Sequence, residues 1–182
     1  MVKLIYKPTP WSESMHIIGE KIMYGASGVM EIVDIREESL ADACRSYYVL
    51  RPVSARTDSL TFVPTDNPML AEAMRRLLTP DEILSLLGRN EPLPEIEWVK
   101  ENRARQDRFK KIMESGDRPK MISMICAIDE NGRRREAEGK KNFITDENMR
   151  AKAVKLLSGE IAAVMNLSDE DAVAMLENAV KS

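Results

Sequence analysis

The chain has 182 residues, 43% hydrophobic and 31% charged, with a formal net charge of −3, which is enough to bury the core of one to two domains. No run approaches the roughly 18 apolar residues of a membrane span, and Met1-Val-Lys-Leu-Ile-Tyr-Lys-Pro lacks the apolar stretch and cleavage site of a secretory signal. Two cysteines far apart, Cys44 and Cys126, read as reduced thiols of a cytoplasmic protein and argue against a disulfide or cysteine-rich metal site.

Residues 1–14 fit no element. Pro8 and Pro10 disfavour a central strand, so a poorly ordered leader or non-native start is expected, with Met15 as an alternative initiator and Trp11 incidental. From 15 to 67 the chain reads as strands. Lys21–Tyr24, Val29–Val33, Tyr47–Leu50 and Leu60–Val63 are short β-branched or aromatic runs, with a Gly25-Ala-Ser-Gly28 turn between the first two. So many short strands must close or be covered to bury their apolar face, which predicts a small antiparallel barrel.

From 68 to 182 the signals are helical. Pro68–Leu78 carries helical spacing, and Thr79-Pro80-Asp81-Glu82 is a capped helix start that runs to about Gly88. A longer helix is predicted over Trp98–Glu114, another from Asp117, a fifth from Thr145 and a sixth capped by Ser168. Their methionines, Met121, Met124 and Met149, sit in apolar stripes and read as core. The expected fold is therefore α+β: a small N-terminal antiparallel β-barrel followed by a C-terminal all-α helical domain.

Catalytic patterns are missing. His16 is the sole histidine, placed before the first strand and read as a surface residue. Gly25-Ala-Ser-Gly28 lies between two strands, where a nucleophile elbow needs a strand entering a helix. No phosphate-loop motif occurs, and carboxylate pairs such as Asp169-Glu170 fall at helix starts, where the dipole accounts for them. Neither enzyme activity, a cofactor nor a small-molecule substrate is expected.

Charge is unevenly spread. Lys100 to Lys141 holds 13 basic and 8 acidic residues, a local +5 that leaves −8 for the remainder. A basic zone in an acidic chain suggests a localised anionic partner. On a helical wheel with Lys100 at 0°, Lys110, Arg103, Lys111 and Arg108 fall at about 280°, 300°, 20° and 80°, a cationic face. Phe109, Ile112 and Met113 fall at about 180°, 120° and 220°, and Trp98 joins them at about 160°. Trp98 thus reads two ways, as the first core residue of a helix or as a partly exposed wedge at the bundle's end. Arg133-Arg-Arg135 with Lys140-Lys141 forms a second cluster, interrupted by Glu136 and Glu138; it either continues the cationic surface or pairs within its helix.

The order of these pieces resembles the CarD/CdnL family of bacterial transcription regulators over residues 16–182. The likeness rests on Ile18-Gly-Glu-Lys-Ile-Met-Tyr-Gly-Ala-Ser-Gly-Val29, Tyr47-Tyr-Val-Leu50, Phe62-Val-Pro-Thr-Asp-Asn67, Trp98, Ile112-Met-Glu-Ser-Gly-Asp117 and Lys155-Leu-Leu-Ser-Gly-Glu-Ile-Ala162. It implies a Tudor-like RNA polymerase-interacting domain, similar to one in the transcription-repair coupling factor, docking on the polymerase β subunit. It also implies a helical domain that meets promoter DNA at the upstream edge of the bubble, its tryptophan wedged into the minor groove, so that open-complex stability is modulated without catalysis. The residues implied for DNA are Trp98, Lys100, Arg103, Arg105, Arg108, Lys110 and Lys111. For polymerase they are Arg36, Arg45 and Arg51, with Phe62 standing where some members have an arginine. The spacing from Trp98 to Ser115-Gly116 is about one helical turn longer than in some relatives. A protein-binding adaptor with a merely solubilising basic face is the alternative.

Overall fold

The computed structural model describes residues 16–40, 43–54 and 59–181. The expected leader, Trp11 and Met15 lie outside them, as does the side chain of Cys44. The fold is α+β. Strands β1 (Lys21–Tyr24), β2 (Val29–Leu40), β3 (Ala43–Pro52), β4 (Thr61–Pro64) and β5 (Met74–Arg76) accompany helices α1 (Pro68–Glu72), α2 (Pro80–Leu87), α3 (Asn102–Ser115), α4 (Arg118–Ala137), α5 (Ile144–Met165) and α6 (Asp169–Lys181).

The strands form one antiparallel sheet in the order β4-β3-β2-β1-β5. It is open, with β4 and β5 at its edges, which corrects the expected barrel. The physical requirement behind that expectation is met another way. Ile22, Met30, Ile32, Tyr48, Leu50, Val63 and Met74 form one apolar cluster that draws on all five strands, both edges included. Leu70 of α1, on the chain linking the two edge strands, packs against it. An open sheet plus a short helix thereby buries the face that a closed barrel would bury.

Two further expectations are corrected by the fold. Pro68–Leu78 is not one helix: α1 ends at Glu72 and Met74–Arg76 pairs with β1. Three residues on the sheet edge gain ladder bonds that a lone helical turn could not supply. The sheet thus draws its last strand from beyond residue 67. The strands β2 and β3 are also longer than their apolar runs, because the hairpin continues through the charged segment Arg36–Glu38 opposite Arg45–Tyr47.

Three helical starts follow the caps expected of them, whereas α5 begins at Ile144 behind Phe143 with no side-chain cap. Thr79 and Glu82 form a reciprocal capping box on α2, and Asp117 accepts from Lys120 N at 3.0 Å to open α4. Ser168 Oγ accepts from Asp171 N at 3.1 Å at the start of α6. The main core unites the helices through Phe109, Met121, Met124, Ile125, Leu156, Leu157 and Leu176, and it also includes Met23 and Val29 from the sheet's second face. Sheet and helices therefore share a core. Their seam is tied by Glu160, 2% exposed, which accepts from Arg118 at 2.8 Å and from Leu78 N at 3.0 Å. Arg118 in turn donates to Arg76 O at 3.1 Å. Gly116 ends α3 at φ 64°, and Arg75 lies across it to donate to Glu114 O at 3.1 Å, leaving no room for a Cβ.

Candidate nucleic-acid interface

Trp98 stands outside any helix. The expected helix start at Trp98 is displaced to Asn102, because the Glu101 carboxylate accepts from Arg103 N and Ala104 N and caps α3 there. Those bonds to the anion hold the Glu101 carboxyl below its ordinary pKa. Before it, residues 91–100 form a strap without helix or strand whose Leu93, Ile96 and Trp98 pack on the main core, all partly buried. Trp98 meets Phe109 edge-on, with centroids 6.1 Å apart. The wheel gave Trp98 the azimuth of Phe109 but put the two about 16 Å apart along a helix axis; the strap brings them into contact without a helix.

The cationic set divides. Lys100, Arg103, Lys110 and Lys111 are exposed, and Lys110 shares Glu114 at 3.7 Å. Lys100, Arg103 and Lys111 hold no ion pair among the described residues. Arg108 donates to Glu97 O at 3.1 Å, closing the strap onto α3.

Arg105 is a correction. It is 1% exposed and cannot reach a phosphate. Its Nε donates to both Asp146 oxygens at 3.2 Å, Nη1 to Val99 O at 2.9 Å and Lys100 O at 3.1 Å, and Nη2 to Asn102 Oδ1 at 2.9 Å. Its guanidinium carbon lies 4.7 Å from the Trp98 ring centroid and 4.9 Å from that of Phe143. The wheel already carried the signal: Arg105 falls at about 140°, inside the apolar arc. Asp146 and Phe143 were missed altogether. Thr145-Asp146-Glu147 resembles the acidic first turn that any helix favours, and nothing local reveals that Asp146 turns inward to accept from Arg105 and, at 2.6 Å, from Gln106.

The second basic cluster is largely committed. Arg134 pairs with Glu130 at 3.0 Å and Lys140 with Glu138 at 2.7 Å. Arg135 donates to Lys141 O at 2.8 and 2.9 Å and stacks 3.9 Å from Phe143. Arg133 lines a cleft of about 340 Å³ between α4, α5 and the end of α6. Charged side chains stand on its walls, Asp129, Glu136, Glu147, Arg150 and Lys181 among them, beside Ile128 and Phe143, but no imidazole, thiol or hydroxyl. Arg150 is held by Asp129 and Glu177, at 2.9 Å for Asp129 Oδ2 and 3.0 Å for Glu177 Oε2, and both partners keep it firmly protonated.

On the sheet, pairing register puts Arg36, Arg45, Arg51 and Phe62 on one face. Arg45 lies opposite Glu38, Arg36 opposite Tyr47, Phe62 opposite Val49 and Arg51 opposite Glu31. A bulge at Val33 turns Asp34 and Arg36 to this side. Phe62 is 44% exposed on edge strand β4. Each arginine holds a carboxylate: Asp34 at 2.6 Å, Asp66 at 3.1 Å and Glu31 at 3.1 Å, respectively. His16, read as a surface residue, is instead partly buried, bonded to Glu20 at 3.0 Å and edge-on to Tyr48.

Among the described residues no three His, Cys, Asp or Glu side chains converge on a possible metal site, and no helix is long and apolar enough to cross a membrane. No protein-family model matches the chain, and no curated protein matches it.

Proposed function

We propose that this chain is a non-enzymatic transcription regulator of the CarD/CdnL type. Its sheet unit, taken as Tudor-like, docks on the β subunit of bacterial RNA polymerase. Its helical part sets Trp98 against promoter DNA at the upstream edge of the bubble and so modulates the lifetime of the open complex.

One observation carries the reading. Trp98, half-buried at the end of the bundle, stands at the root of α3, with Lys100 exposed on the strap and Arg103 and Lys111 exposed on the helix, none of the three in an ion pair among the described residues. A ring anchored on one side and open on the other can prop an unstacked base step, while neighbouring cations neutralise phosphates. The sheet face with Phe62 and three arginines in exposed ion pairs suits the docking role. Such pairs are worth about 0–1 kcal/mol each, so their arginines exchange partners at little cost, and an exposed aromatic supplies the anchor. Docking then raises the effective concentration of a weak DNA contact.

The adaptor reading keeps one specific support: Arg105 and most of the second cluster are withdrawn from any anionic partner. A salt titration on fork-junction DNA separates the two. Three free cations predict a slope of log affinity against log salt of about −3, whereas absence of binding at low salt selects the adaptor. The decisive functional measurement is open-complex lifetime with purified polymerase. Trp98→Ala is expected to return it to the value without regulator, and an unchanged lifetime with a folded, polymerase-bound variant refutes the wedge.

A further inference from the structure

We propose that Arg105, with Asp146 and Phe143, is a buried clamp whose role is to position Trp98 for its partner. This deepens the reading above and rests on it only for the identity of that partner. A guanidinium has five N–H donors in a planar fork, and here they are spread over Asp146, Asn102 and the carbonyls of Val99 and Lys100. The last two are the backbone links that immediately follow Trp98. Arg105 therefore fixes the main chain of the strap as well as touching the indole, 4.7 Å from its centroid. Phe143 lies 4.9 Å from the same guanidinium and carries Arg135 at 3.9 Å, so ring and cation alternate from Trp98 through to the end of α4.

Burying such a pair is an expensive way to fill space, because apolar side chains of similar volume commonly serve as well or better. What the pair adds is direction. Leucine or methionine in that space would leave the Val99 and Lys100 carbonyls without this donor and the strap free to slide over Phe109. The closed side of the indole is held by Arg105 and Phe109, leaving the remaining side to a ligand. Lysine cannot replace the arginine, since a point-like ammonium with three donors neither stacks flat nor spans a carboxylate and two carbonyls.

The test uses the full chain with Trp11→Phe, excited at the red edge where tyrosine does not absorb, so that Trp98 is the sole emitting tryptophan. Arg105→Lys is expected to shift emission to longer wavelength and raise acrylamide quenching, while far-UV dichroism and a cooperative melt persist. Phe143→Leu, which leaves the ion pair intact, is expected to give a smaller shift in the same direction and serves if Arg105→Lys does not fold. With polymerase, Arg105→Lys is expected to return the open-complex lifetime to the regulator-free value as far as Trp98→Ala does, although Trp98 is present. Unchanged emission and quenching in folded variants overturns the clamp. So does an open-complex lifetime that responds to Trp98→Ala but not to Arg105→Lys. Altered emission with a lifetime insensitive to both variants upholds the clamp and removes the transcriptional role, so the two failures are distinguishable.

Discussion

At Arg105 and Asp146 two charges are taken out of water, and neither can be removed alone without stranding the other. Asp146→Ala is therefore expected to destabilise the fold by about 3–5 kcal/mol, measurable by urea denaturation. Trp98→Ala removes a half-buried ring at the bundle's rim and should cost less. Finding the two equal would mean that Asp146 is not truly desolvated. Cys126 lies at the same residue scale. Burial pushes its thiol above the ordinary range despite the nearby Arg89 guanidinium, so thiol-reactive dye at pH 8 is expected to label it more slowly than a small free thiol. Neither property is visible in residue identity alone. Arg105 and Arg103 are the same amino acid two positions apart, and only the helix azimuth sends one inward.

Among the elements, α2 shows local chemistry at its most legible. Thr79, Pro80 and Glu82 announce the helix, and the capping box forms as their spacing demands. Glu82 also receives Arg76 at 2.6 and 2.7 Å. That partner first, and Thr79 N second, draw its carboxyl down to about 2. Because the folded value is depressed, whatever stability the group contributes is complete above the ordinary glutamate range and lost as pH falls toward about 2. Carbon-13 titration of Glu82 should show a midpoint well below that of a free glutamate, and a normal midpoint would mean the Arg76 contact is not held in solution. Thr79→Ala is expected to cost about 1 kcal/mol. The strap and β5 lie at the opposite extreme. Leu93-Pro94-Glu95-Ile96-Glu97-Trp98 and Met74-Arg-Arg76 take their conformations from the surfaces they join, so their own residues carried no reliable signal of strap or strand.

For the whole molecule, the shared core sets the behaviour. Met23 and Val29 from the sheet lie in the cluster built by the helices, and Glu160 and Arg118 close the seam. Sheet and bundle are expected to unfold together, with coincident urea transitions by Trp98 fluorescence and far-UV dichroism. Two separated transitions would show that the seam is weak. Glu160→Ala, which strands Arg118, is expected to lower stability by about 3–5 kcal/mol.

Taken across these scales, the amino-acid sequence by itself determined the α+β class, the strand runs and the helix starts written in the caps Thr79, Asp117 and Ser168. Those follow from period, capping and composition, which act over a few residues. Tertiary structure alone decided that the sheet stays open with α1 against its apolar face, that Met74–Arg76 leaves a helical pattern to become an edge strand, and that Asp146 is the partner Arg105 meets on the inward side its azimuth gives it. Each of these depends on a partner 40 or so residues away in the chain or more, and a buried charge is tolerated only once that partner has arrived.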